Sequence, residues 1–308
     1  MKLYIAGING MVGSSIARKF RGEKIQVFGE SSKELDFTNR KDTFQKLKAI
    51  SPDVLIIAAA KVGGIGANST YPVEFFTLNL QLQSNLLDAA HAADIEKVIF
   101  LGSSCIYPKF ASQPISESSL LTGPLEQTNE PYAIAKISGI KLVDAYRKEY
   151  GRHWISLMPT NMYGPNDNFD IETSHVVPGL LHRFHVAKIK EQSQVKLWGD
   201  GTPLREFMHV DDLSRAIFQL LETETKESLF NVGSSSELSI FDLAKLIART
   251  VGFEGNIAFD PEKPNGTPRK LLDSSLLQKT GWKAEISLEE GVKSVYDWYL
   301  NNHQEKVS

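Results

Sequence analysis

Tyr132 and Lys136 lie four residues apart in the stretch Asn129-Glu130-Pro131-Tyr132-Ala133-Ile134-Ala135-Lys136-Ile137-Ser138-Gly139. On a helix that spacing places both side chains on one face. A free tyrosine ionises near pH ~10, too high for acid–base work at neutrality. A nearby ammonium stabilises the phenolate and draws that pKa down. The pair therefore reads as a proton-transfer device for a carbonyl or hydroxyl group, although an ordinary helix surface can show the same spacing.

A second set lies at the N-terminus, where Gly7, Gly10 and Gly13 enclose Ile8, Asn9, Met11 and Val12. Gly7 permits a tight turn, Gly10 lets backbone approach a pyrophosphate, and Gly13 lets a helix pack against the preceding strand. The pyrophosphate would sit at that helix N-terminus, where unsatisfied N–H groups converge. The spacing is G-x-x-G-x-x-G. Glu30, at the end of the next strand, is placed to bond adenosine ribose hydroxyls and to disfavour a 2′-phosphate; a solvated loop charge would look the same.

The elements that must position these groups alternate. Apolar runs at 3–6, 25–28, 54–57, 97–102 and 154–158 read as strands, and 14–21, 72–93 and about 130–149 read as helices. Continuous apolar strands suit a parallel sheet buried on both faces. The expected fold is α/β, a doubly wound parallel (Rossmann) sheet over 1–164. A smaller C-terminal substrate domain occupies 165–308, with about 206–233 returning to the first. Within it, 176–189, 211–221, 240–251 and 288–300 read as helices and 195–198 as extended. Segments 61–66 and 261–270 read as loops.

The chain has 308 residues and a net charge of −3, so general affinity for nucleic acid or acidic membranes is not expected, although Arg269-Lys270 could grip one phosphate. A single cysteine excludes an internal disulfide and suits a reducing compartment. No apolar run approaches the ~20 residues of a membrane span, and the N-terminus reads as a strand rather than a signal peptide. A cytoplasmic enzyme is the expectation. His182 and His185 lack further ligands at metal spacing, so no metal is assigned.

Taken together, the glycine turn, Ser103, Tyr132 and Lys136 resemble the extended short-chain dehydrogenase/reductase superfamily. Within it the chain resembles the members that epimerise and reduce a GDP-4-keto-6-deoxy sugar. The resemblance is carried by Ala59-Ala60-Lys61-Val62-Gly63-Gly64-Ile65, Gly102-Ser103-Ser104-Cys105-Ile106-Tyr107-Pro108-Lys109 and the Tyr132 stretch. Met158-Pro159-Thr160-Asn161, Ser174-His175-Val176, Trp198-Gly199, Arg205-Glu206-Phe207 and Gly266-Thr267-Pro268-Arg269-Lys270 continue it.

It implies that Tyr132 donates the proton at C4, Lys136 holds the nicotinamide ribose and tunes Tyr132, and Ser103 bonds the C4 oxygen. Cys105 and His175 would be the base and acid that invert C3 and C5. A 4-keto group acidifies both neighbouring carbons, so one residue can remove a proton and another return one from the opposite face. Gly7, Asn9, Gly10, Met11, Val12, Gly13, Glu30, Lys136, Pro159, Asn161 and His175 would line the dinucleotide. Arg183, Trp198, Arg205, Asn265 and Lys270 would bind the GDP-sugar. A homodimer, with the Tyr132 helix packed against its twofold mate, is also implied.

The cofactor end departs from the pattern. Asn9 and the run Gly29-Glu30-Ser31-Ser32-Lys33 stand where arginines are frequent, and Asn265 where an aspartate is usual. NADP(H) is the nominal cofactor and NAD(H) a real alternative. Competing functions are an NAD-dependent NDP-sugar 4-epimerase, which needs neither Cys105 nor His175, and a synthase of GDP-L-colitose that inverts only C5. A silent dinucleotide sensor would not retain Tyr132 and Lys136.

Overall fold

Apolar side chains alternate along each central strand, feeding two separate layers. In the computed structural model, which describes residues 1–21, 25–171, 173–263 and 265–303, the strands are β1 (Lys2–Ala6), β2 (Gln26–Phe28), β3 (Val54–Ile57), β4 (Lys97–Leu101) and β5 (Ile155–Pro159). Between them run α1 (Met11–Arg21), α2 (Arg40–Ile50), α3 (Ile65–Thr70), α4 (Pro72–Ala92) and α5 (Glu130–Tyr150).

Beyond β5 come β6 (Asn161–Tyr163), α6 (Val176–Ile189), β7 (Gln194–Trp198), β8 (Leu204–His209), α7 (Val210–Leu221) and β9 (Leu229–Val232). Then follow β10 (Glu237–Ser239), α8 (Ile240–Val251), β11 (Asn256–Asp260), β12 (Arg269–Lys270), α9 (Ser275–Gln278) and α10 (Leu288–Asn302).

Six strands form an all-parallel sheet in the order β2-β1-β3-β4-β5-β9. Tyr4, Ala6, Leu55, Ile57, Val98 and Phe100 face one layer, filled by Leu47 of α2, Leu82, Leu86 and Leu87 of α4, and Ile137, Ile140 and Val143 of α5. Leu3, Ile5, Val54, Ile56, Ile99 and Leu101 face the other, against Ile16, Ala17 and Phe20 of α1 and Leu213, Ala216 and Ile217 of α7. This is the doubly wound parallel sheet expected. The chain reverses direction across the sheet between β1 and β3, so their C-terminal loops flank the crevice where such sheets take ligands.

A third core joins α6, α8 and α10 through Phe184, Leu243, Ile247, Val292 and Val295, over Leu197 and Phe207. Its strands form two small sheets: β8 with β6, β10 and β12, and β7 with β11.

Two segments read as loops are partly regular. Residues 61–66 run into α3, whose start is tied down by Asn68, its Nδ2 donating to the Gly63 and Gly64 carbonyls at 2.8 and 3.0 Å. Within 261–270, Arg269 and Lys270 pair with Leu204 and Arg205 as β12; Pro264 lies outside the described residues. The segment between β2 and β3 holds α2, which the sequence reading did not assign. Both α3 and β12 are too short for periodicity to reveal and depend on distant partners.

Candidate active site

At the end of β1, Gly7 adopts a φ of +87° and its carbonyl accepts the Gly10 N–H at 3.1 Å. A Cβ at Gly13 would lie 2.0 Å from the Gly7 oxygen, so strand and helix meet only through glycine, whereas a Cβ at Gly10 would meet nothing closer than 3.5 Å. α1 starts at Met11 with no acidic residue in its first turn. The first-turn N–H groups of Met11, Val12 and Gly13 thus have no intrahelical acceptor and the helix end carries partial positive charge, which fits a pyrophosphate. Asn9 is exposed beside this turn.

Glu30 follows β2 but does not extend its carboxylate outward. Oε2 accepts the hydroxyl of fully buried Tyr4, and Oε1 lies 2.8 Å from Lys46 Nζ on α2. Ser31 is engaged too, its N–H and Oγ donating to Glu34 at 2.9 and 2.8 Å. Ser32 and Lys33 are exposed.

Glu130 and Pro131 start α5, placing Tyr132 in its first turn and Lys136 one turn on. Both are buried. Tyr132 packs edge-on to Phe75, in a small cluster with Ala67 and half-buried Cys105. Burial raises its pKa, nearby Cys105 raises it further, and a hydrogen bond with the Ser103 side chain opposes them. This corrects the expectation that Lys136 draws the phenol down. Lys136 is held by the Leu101 carbonyl at 2.9 Å over the Phe100 ring, and burial lowers its own pKa to about 7. A lysine that titrates near neutrality is only partly charged there and stabilises a phenolate less than a full ammonium would.

Cys105 sits in a single 3₁₀ turn that Ser103 caps, its Oγ accepting the Cys105 N–H at 3.3 Å. Lys270 Nζ donates to the sulfur at 3.7 Å. The Arg205 guanidinium lies within electrostatic reach of the same sulfur, and burial lowers its pKa. His175 caps α6 without a side-chain bond. It is drawn toward the crevice because Gly64 N–H donates to the Thr173 carbonyl at 3.1 Å, and a Cβ at Gly64 would lie 2.8 Å from the Ser174 oxygen. His175 is open to solvent on one side, yet the protein around it disfavours the imidazolium and lowers its pKa.

Ser103, Cys105, Tyr132 and Lys270 thus converge at the ends of β4 and α5. Pro159 ends β5, and the Asn161 amide donates to the Glu206 carbonyl at 2.8 Å. At the far end, Trp198 is 54 % exposed, with Lys263 Nζ 5.8 Å from its ring. Asn265 Oδ1 accepts the Asp200 N–H at 2.9 Å, folding its loop onto the end of β7. Arg183 lies half-buried on α6. Arg269, which the sequence offers to a phosphate together with Lys270, is paired at the surface with Glu237, its Nε donating to both carboxylate oxygens at 2.9 Å. His182 and His185 bond the hydroxyls of Tyr299 and Tyr296.

Sequence reasoning missed Lys46, for which no local signal exists. It named Glu206 only as part of a matching stretch, although a glutamate directly before the apolar pair Phe207-Met208 in a strand is itself a signal.

A phosphate-binding turn at the switch point of this sheet, with a hydroxyl pair and a lysine beside it, is the arrangement of a nicotinamide-dinucleotide enzyme acting on a carbonyl. The chain belongs to the NAD dependent epimerase/dehydratase family, whose model matches residues 3–233. It is 51 % identical to GDP-L-fucose synthase 1 of Arabidopsis thaliana, over 98 % of this chain and 94 % of that protein. It is 39 % identical to GDP-L-colitose synthase of Yersinia pseudotuberculosis, over 98 % of each chain. The structure of a GDP-L-fucose synthetase from Naegleria fowleri bound to NADP superposes with a TM-score of 0.90 at 27 % identity, covering 99 % of this chain and 94 % of that one. No helix among the described residues is long and apolar enough to cross a membrane.

Proposed function

We propose that the chain inverts C3 and C5 of GDP-4-keto-6-deoxy-D-mannose and then reduces C4 with NAD(P)H, yielding GDP-L-fucose. The carrying observation is the half-buried Cys105 thiol in the same small cluster as Tyr132. A 4-epimerase has no use for that thiol; a 3,5-epimerase needs a base beside the 4-keto group.

Ser103 and Tyr132 hydroxyls hold the C4 oxygen and stabilise the negative charge that gathers there when a neighbouring carbon loses its proton. Cys105 removes the proton and His175, in its protonated form, supplies one from the other face. The reduced dinucleotide, when bound, supplies hydride to C4. Tyr132 gives its proton to O4 as that charge develops, and its raised pKa keeps the phenol protonated until then. Lys136 holds the nicotinamide ribose, while Pro159, Asn161 and His175 line that end of the cofactor. Trp198 offers a stacking face to the nucleotide; Arg183 and Arg205 suit its diphosphate.

Residues 1–164 serve the dinucleotide and 165–308 mainly the sugar nucleotide, with about 206–233 shared. The nominal cofactor is NADPH, with weak discrimination against NADH because Glu30 and Lys46 cancel at the adenosine ribose. The assembly is a homodimer through α5, and a reducing cytoplasm suits the thiol. The deciding experiment is NMR of the product after incubation with GDP-4-keto-6-deoxy-mannose and each reduced cofactor. A 4-reduced sugar without inversion at C3 and C5, or no net cofactor oxidation, overturns the reading.

A further inference from the structure

Lys270 stands in a basic dipeptide that a diphosphate would suit, but its ammonium is turned inward. It donates to Cys105 Sγ at 3.7 Å, while neighbouring Arg269 is tied to Glu237. Lys270, Cys105, Glu126 and Asn129 share a cavity of only about 10 Å³, room for one water at most. Both residues are half-buried, so the contact is partly shielded from solvent and a charge-assisted pair counts for more than on an open surface.

The backbone around Lys270 is clamped from both sides. Gln113 Oε1 accepts the Leu271 N–H at 2.9 Å and its Nε2 donates to the Arg269 carbonyl at 3.3 Å. From beneath, Glu206 accepts the Leu272 N–H at 3.1 Å and the Ser235 N–H at 2.7 Å. Glu206 is 0 % exposed and makes no ion pair among the described residues. A buried carboxylate without a counter-cation is costly, so its two oxygens, each committed to a separate chain segment, call for an explanation.

We propose that Lys270 is the charge partner of the Cys105 sulfur during epimerisation, and that Glu206 is the positioning residue that holds it there. This rests on the epimerase reading above. In each inversion the C–H bond next to the ketone breaks, an S–H bond forms at Cys105, and the electron pair passes to O4 as the enolate. Protonated His175 then gives a proton to the opposite face of that carbon as the electron pair returns from O4 and the ketone re-forms. Before the second inversion Cys105 releases its proton to solvent and His175 takes one up. Lys270 neither gains nor loses a proton. Its ammonium balances the negative charge on the sulfur before abstraction.

The chain contains one cysteine, so iodoacetamide alkylation followed by mass spectrometry reads Cys105 alone, without substrate. At fixed neutral pH, Lys270→Met is expected to slow alkylation about tenfold or more, Lys270→Arg much less. Glu206→Gln presents an amide to two N–H donors and should slow it as well. Gln113→Ala, which loosens the same segment from its exposed side, should do so too and serves if Glu206→Gln does not fold. Lys270→Met within about twofold of wild type overturns the pairing, and unchanged rates in both Glu206→Gln and Gln113→Ala overturn the positioning role. Deuterium uptake at C3 and C5 is then measured with GDP-4-keto-6-deoxy-mannose. Altered alkylation with no uptake even in wild type strikes the epimerase reading and leaves the Lys270–Cys105 contact standing.

Discussion

Lys46 Nζ lies 2.8 Å from Glu30 Oε1, so the acidic residue at the end of the second strand is already paired with a cation from α2. A free carboxylate there would repel a 2′-phosphate and accept the ribose hydroxyls instead. The pair is close to neutral and does neither strongly. A lost charge-assisted bond costs about 1.5–3 kcal/mol, or roughly ten- to a hundred-fold in affinity. The wild-type preference for NADPH in kcat/KM should therefore stay below about a thousand-fold. Glu30→Gln, which frees Lys46, should raise the NADPH-over-NADH ratio of binding constants about tenfold, and Lys46→Ala should lower it. Calorimetric Kd values for both nucleotides check this; two unchanged ratios would place discrimination elsewhere.

Tyr132→Phe removes the proton donor while keeping the ring that packs on Phe75. Turnover of NAD(P)H should fall by about 10²–10⁴-fold with the Kd of the dinucleotide nearly unchanged. Single-turnover oxidation of the cofactor at a rate near wild type would remove Tyr132 from that role.

Cys105→Ala and His175→Ala should each stop solvent deuterium from entering one or both of C3 and C5. Reduction of the unepimerised ketone can persist in either variant, because Ser103, Tyr132 and Lys136 remain. Normal exchange in both variants, followed by NMR, would show that other groups move those protons.

Two desolvated titratable groups, buried Lys136 and half-buried Asp167, should tilt stability against pH in opposite senses. Lys136 has a folded pKa of about 7, against ~10.4 unfolded. Between these values the unfolded chain binds the extra proton. Its stability contribution is therefore complete above pH ~10 and is lost as pH falls toward ~7, at up to ~1.4 kcal/mol per unit. Asp167 is raised by burial to about 7 and its Oδ2 has no hydrogen-bond partner among the described residues. There the folded state keeps the proton longer, so stability present at pH ~4 is lost as pH rises through ~7. Lys136→Met should remove a rise in apo-protein Tm between pH 7 and 9, and Asp167→Asn should raise Tm at pH 8 more than at pH 5. Parallel Tm–pH curves for wild type and variants would contradict both assignments.

What the sequence determined by itself was whatever a short stretch encodes. Gly7, Gly10 and Gly13 declare a tight strand–helix turn by their spacing, and glycine is required at Gly7 for its φ of +87° and at Gly13 for its close approach to the Gly7 carbonyl. Tyr132 and Lys136 share a face because a helix repeats near every fourth residue, and Val54–Ile57 declares a buried parallel strand by being apolar throughout. Only the tertiary structure decided what crosses the chain. Lys46 reaches Glu30, Lys270 reaches Cys105 over 165 positions, and Glu206 takes the N–H of Leu272 from 66 positions away. It also decided the electrostatics: Tyr132 is raised rather than lowered by its own burial and by Cys105, and burial lowers Lys136. Spacing along a chain specifies which side chains share a face, whereas charge, desolvation and partnership depend on what the folded chain packs around them.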